Sequence, residues 1–167
     1  MQEIIGQFLI LIMKLIKEFN EEFFEQTLKE LNKRPEDIKP DGWYSVDKIV
    51  FTLEKLSDEA NLALGKLVIG GDPNAAKVMK PDSSPLDMIS LIKAESSKLF
   101  KGDNLFSLMT VIDSGPDSLV VKTKLYPFTE SFFRGVILGF LQILKIFKVN
   151  INKRDEDDFQ IFTIKWQ

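Results

Sequence analysis

Apolar residues recur at helical spacing from the start of the chain. Ile5, Leu9, Ile12, Ile16, Phe19, Phe23 and Leu31 share one face, which predicts one or two long helices over about residues 2–33. The apolar run Phe8 to Met13 lies between Glu3 and Lys14. It is far shorter than the roughly 20 residues that span a bilayer. It also lacks the basic start and small-residue cleavage site of a secretory signal. No membrane insertion is therefore expected. The aromatic and aliphatic side chains of this segment predict a second subunit packed against it, a homodimer with two-fold symmetry.

Pro35, Pro40 and Gly42 interrupt the helical pattern. Ser45 is a candidate cap for a helix over about 46–57, with Asp47 favourable in its first turn. Ser57 or Asp58 starts a further helix that Gly70 and Gly71 end. Asp72 with Pro73 begins a short helix. Ser84 with Pro85 begins another that runs to about Lys101 and stops at Gly102, with Leu86, Ile89, Ile92, Leu99 and Phe100 on its apolar face.

Beyond Gly102 the period changes to two. "NLFSLMTVID", the turn "SGPD" and "SLVVKTKLYP" read as a β-hairpin, with Leu119, Val121, Thr123 and Leu125 on one face. "TESFFRGVILGFLQIL" reads as a helix over about 129–146 capped by Thr129. "FKVNINK", the acidic turn "RDEDD" and "FQIFTIKW" read as a second hairpin, with Phe147, Val149 and Ile151 alternating with polar residues. The fold class is α+β: an N-terminal helical part, then an antiparallel sheet of about four strands built as hairpin, helix, hairpin, with the helix across one face. The whole chain is expected to form one domain, with a helical segment over 1–40, a helical subregion over 41–102 and the hairpin–helix–hairpin over 103–167.

Gly135 and Gly139 each cost that helix roughly 1 kcal/mol relative to alanine. Four residues apart, they share a face. They leave a groove for a sheet side chain or a second helix, or bare backbone against which a ligand packs. A transmembrane GxxxG pair is excluded by the short apolar segment and its flanking Arg134 and Lys145.

Composition narrows the chemistry. With 44% hydrophobic residues among 167 the chain can bury a sizeable core, and a net charge of -3 argues against a nucleic-acid partner. There is no cysteine, which removes disulfides and thiolate chemistry and fits a cytoplasmic location. There is no histidine, the commonest general base and metal ligand. "RDEDD" lacks the ligand spacing of a calcium loop. "VIGGDPNAAK" lacks the phosphate-loop lysine and hydroxyl. Ser96 and Ser97 have no histidine to activate them. Lys122 and Lys124 alternate along a strand as its wet face. No catalytic, cofactor-binding or metal-binding residue is nominated, and no cofactor is expected. Of the aromatics Trp43, Tyr44, Phe106, Tyr126, Phe132 and Phe133, most are core candidates. The candidate pocket for a ligand comprises Trp43, Tyr44, Phe106, Tyr126, Phe133, Gly135 and Gly139.

The order helices, hairpin, "YPFTESFFRGVILGFLQIL" and a hairpin ending in "FQIFTIKW" resembles the fold shared by heme nitric oxide/oxygen-binding (H-NOX) domains and vinyl reductase domains. "DGWYSVDKIVFTLEKL" followed by "ALGKLVI" is similar to the helical part of bacterial members. The resemblance spans about residues 40–167 and implies a small-molecule-sensing or scaffold fold with an apolar pocket between helices and sheet. Heme-binding members use a proximal histidine and a Tyr-x-Ser-x-Arg motif. Here histidine is absent, and the corresponding stretch reads "VVKTKLYPF". No functional residue transfers. Ligation of heme through Met or Tyr is chemically available, but nothing in the sequence favours it. The expected function is a non-catalytic, heme-free bacterial sensory or regulatory domain binding an apolar small molecule or a protein partner. A structural dimerisation module without a ligand is the alternative.

Overall fold

The computed structural model describes residues 2–70, 83–102, 108–125 and 128–167. The N-terminal pattern resolves into β1 (Glu3–Ile5), α1 (Gly6–Phe19) and α2 (Glu21–Leu31). Asn20 makes the break between the helices. Its backbone is extended, and its side-chain oxygen accepts from the amides of Glu22 and Phe23 at 3.0 and 3.2 Å. Such a cap satisfies amides that the helix itself cannot. Asn32 closes α2 in the left-handed conformation.

Next come β2 (Trp43–Ser45), α3 (Asp47–Lys55), α4 (Asp58–Gly70), α5 (Pro85–Leu99) and β3 (Phe100–Lys101). Ser45 is not a cap: it lies in β2 opposite Glu3, and α3 begins after Val46 with no side-chain cap. α5 starts as expected at Ser84, which forms a reciprocal capping box with Asp87. It ends at Leu99, two residues early, because Phe100 and Lys101 pair with Ile4 and Glu3. Leu86, expected on the apolar face, is 43% exposed in the first turn, whereas Met88, Ile89 and Ile92 are buried. The helix expected at Asp72–Pro73 lies outside the described residues.

The small sheet β2-β1-β3 is absent from the sequence expectation. Its strands are two or three residues long and lie some forty and a hundred residues apart, too short for alternation to register. The larger sheet is the expected one. β4 (Thr110–Gly115) and β5 (Ser118–Thr123) form one hairpin; β6 (Val149–Glu156) and β7 (Phe159–Trp166) form the other. All neighbours are antiparallel, in the order β4-β5-β7-β6. The acidic turn is shorter than "RDEDD" suggested. Arg154 to Glu156 stay in β6, and only Asp157 and Asp158 turn, with Asp157 at φ 55. Asp tolerates that left-handed backbone, which a tight hairpin requires. Phe147 precedes the strand and is 72% exposed, so it does not continue the alternation of Val149 and Ile151.

Between the hairpins runs α6 (Glu130–Ile143), with Thr129 accepting from the Phe132 amide at 3.1 Å as a cap. Its buried residues include Phe132, Phe133, Gly135, Val136, Ile137 and Gly139. Phe132, Phe133, Val136 and Ile137 join Leu9, Ile12 and Ile16 of α1, Leu53 of α3, Leu64 of α4, and Leu119, Val121 and Phe162 of the sheet in one core cluster. The N-terminal helices bury much of their apolar surface within the chain. Phe8 and Phe24 are buried within the chain, and Phe19 is the one phenylalanine of the segment left exposed, at 44%.

Candidate functional site

The sequence-nominated aromatics and glycines fall into two places. Trp43 and Tyr44 sit on β2, opposite Ile5 and Ile4. The Lys101 ammonium lies 4.1 Å from the Trp43 ring centroid, a cation–π contact, and also meets Glu3 at 3.7 Å. The Tyr44 hydroxyl accepts from the Lys39 amide at 2.8 Å, while its ring packs on the core. Phe133, Gly135 and Gly139 are all buried on α6. Phe133 faces the sheet, with its ring 4.7 Å from that of Phe162. Phe106 and Tyr126 lie outside the described residues.

Gly135 has found the second helix, not the sheet. A β-carbon there would overlap the carbonyl oxygen of Leu62 and lie 3.0 Å from the Gly65 α-carbon. A β-carbon on Gly65 would in turn overlap the Phe132 carbonyl oxygen. The two glycines therefore let α4 and α6 touch backbone to backbone. Gly65, within the "ALGKLVI" stretch, is the partner that sequence reasoning missed. Its signal was a small residue inside an apolar helix.

A row of phenylalanines joins the two places. Phe8 on α1 meets Phe100 on β3 edge to face, with centroids 5.6 Å apart and planes at 81°. Phe100 meets Phe128 in the same way at 5.7 Å and 85°. Phe128 stacks on Phe132 at 4.5 Å and 12°. All four rings are buried. Such geometries are favourable for aromatic pairs beyond the area they bury. The row runs from α1, past the small sheet, to the first turn of α6, and so binds the helical part to the hairpin–helix–hairpin. Phe128 was missed in the sequence, where its one local signal is its place just before the Thr129 cap. Phe8 and Phe100 looked like ordinary positions on helical faces.

The shifted ionisable groups among the described residues lie in surface ion pairs and at a helix cap. Glu156 is held below the ordinary carboxylate range, first by its hydrogen bond from Lys122 at 2.6 Å. Asp37 is lowered by the hydrogen bond from Arg34, and Asp87 by those from Ser84. Lys153 is raised by Glu130 and then Asp155. Each shift comes from a surface ion pair or a helix cap, not from a cleft where a perturbed group suggests catalysis. Among the described residues no cluster of three or more acidic side chains could hold a metal ion. No described helix is long and apolar enough to cross a membrane.

No family model matches the sequence, and no match is found among curated proteins. The fold, however, is that of H-NOX domains. An H-NOX protein from S. oneidensis in the Fe(II)NO ligation state is similar with a TM-score of 0.73 at 12% identity, over 98% of this chain and 99% of that one. An unliganded Fe(II) H-NOX mutant from K. algicida gives 0.67 at 16% identity, over 97% and 96%. An H-NOX mutant from T. tengcongensis gives 0.66 at 15% identity, over 94% and 93%. The likeness therefore covers nearly the whole chain, including residues before 40 where the sequence resemblance ended.

The described side chains do not suit the heme that this fold implies. The chain offers neither histidine nor cysteine to iron. Tyr44 is committed to the Lys39 amide. Met13, Met88 and Met109 are buried in the apolar core.

Proposed function

We propose that this chain is a non-catalytic sensory or regulatory domain of a bacterial cytoplasm that uses the H-NOX fold without heme. Its input is an apolar small molecule or a protein partner. The observation that carries this reading is the likeness to H-NOX domains along nearly the entire chain, in a protein with no histidine at all. The surface character of the perturbed carboxylates supports a sensor over an enzyme. The aromatic row between the helical part and the sheet is the natural element for such an input to act on, because it is apolar and joins both parts. The N-terminal helices leave Phe19 exposed and Phe23 half-buried, and this is the surface that a homodimer through them would use.

Native mass spectrometry of the purified protein tests the proposal. A retained small-molecule mass that is not heme, or a monomer that gains mass on exposure to apolar extracts, supports it. A stoichiometric heme adduct contradicts it. A ligand-free dimer that takes up nothing points to the structural module instead.

A further inference from the structure

The two edges of the larger sheet are closed in different ways. β4 carries a register irregularity between Val111 and Asp113, which breaks the regular ladder that another strand would need. β6 is regular over eight residues and has no such defect. Its hydrogen-bonding sense follows from its ends. The Gln167 amide donates to the Lys148 carbonyl, so the pair 148/167 is a hydrogen-bonded one. Antiparallel pairs alternate. The backbone groups of Val149, Ile151, Lys153 and Asp155 therefore point away from β7, toward an edge on which no other described strand pairs. The Trp166 amide, opposite Val149, agrees: it donates to Asp117 on the other side of β7.

Arg134 of α6 reaches this edge. Its Nη1 donates to the outward carbonyl of Ile151 at 2.6 Å, while its Nε donates to Glu130 at 2.8 Å. Glu130 also holds Lys153 of β6 at 3.1 Å, and Lys153 meets Asp155 at 3.2 Å. Arg134, Glu130 and Lys153 are only about a quarter to a third exposed, which spares their interactions much of the screening that weakens surface pairs. The geometry points to Arg134 as a guard of the β6 edge: it occupies a central outward carbonyl that a second β-strand would need, and Glu130 and Lys153 hold it there. Loss of the guard opens β6 to strand addition, and the strand at hand in a pure sample is β6 of a second copy. This inference is independent of the proposed ligand.

Arg134→Met removes the donors and keeps most of the side chain's bulk. The expected result at about 100 μM is concentration-dependent association in sedimentation velocity. Amide exchange at Val149, Ile151, Lys153 and Asp155 should then slow at least about tenfold relative to the dilute variant, because those amides gain partners on strand addition. Arg134→Lys keeps a charged donor and should stay closer to the parent. Should Arg134→Met fail to fold, Glu130→Ala loosens the same guard without altering the arginine, and the same association is expected. Unchanged sedimentation and exchange in the folded variant overturns the inference, as does a parent protein whose four outward amides are already protected by association.

Discussion

The two faces of α6 are packed by opposite means. Toward the sheet it presents Phe133, whose ring meets Phe162 in the interior. Toward α4 it presents Gly135, and there the filling is backbone: Leu62 and Gly65 occupy the space a side chain would take. A ring on a sheet can be trimmed and leaves a hole. A glycine contact has nothing to trim and can only be overfilled. The same helix thus shows that a close junction can be made by adding apolar volume or by removing it. Its one-turn stretch Phe132 to Gly135 serves the aromatic row, the sheet, the edge strand and α4 in turn.

The largest effect is expected on the ring side. Phe133→Ala should cost about 3–5 kcal/mol in chemical denaturation, the usual range for emptying a buried phenylalanine site. A loss under about 1 kcal/mol would mean that the sheet face collapses to fill the hole, and the contrast between the faces would fail. On the glycine side, Gly135→Ala should destabilise by about 1–3 kcal/mol, because the obstructing atom is a backbone carbonyl that cannot rotate away. That outcome runs against helix propensity, which favours alanine by roughly 1 kcal/mol. A melting temperature at or above the parent value would show that α4 and α6 are not in backbone contact.

Thr129→Ala probes the helix start that serves both faces. Losing its hydrogen bond to the Phe132 amide should cost about 1 kcal/mol, with Thr129→Ser close to the parent. Equal losses for both variants would assign the effect to packing and not to the cap. The smallest effect belongs to the ion pair that links the two hairpins, from Lys122 on β5 to Glu156 on β6. Glu156 has a folded pKa depressed by Lys122, so its contribution to stability is present above its unfolded value and is lost as pH falls through the lower folded one. Melting curves of the parent and of Lys122→Met should therefore converge on acidification through that window. A difference that persists at the acid end would show that Lys122 acts through its packing over the Phe159 ring instead.

Much of this architecture was legible in the sequence, for physical reasons that vary along the chain. The two hairpins and α6 announce themselves because their strands run for six or eight residues and the helix for fourteen, and Thr129 and Ser84 are caps with local partners. The small sheet was hidden because Ile4 and Ile5 satisfy a helical pattern as well as a strand one, and only distant residues, Tyr44 and Phe100, decide between them. The site was legible only in part. Gly135 was visible as an exception inside a good helix, but its partner Gly65 is a tertiary fact. Phe8, Phe100 and Phe128 come from segments with no local relation, so their row emerges only once the fold brings them together.

Under the proposed function this chain keeps the H-NOX architecture without ligating iron. The most direct test is a titration of the purified protein with ferrous heme, followed in the Soret region and by native mass spectrometry. The account predicts a spectrum that remains that of free heme and no stoichiometric adduct. A sharp, shifted Soret band that saturates at one heme per chain would contradict it.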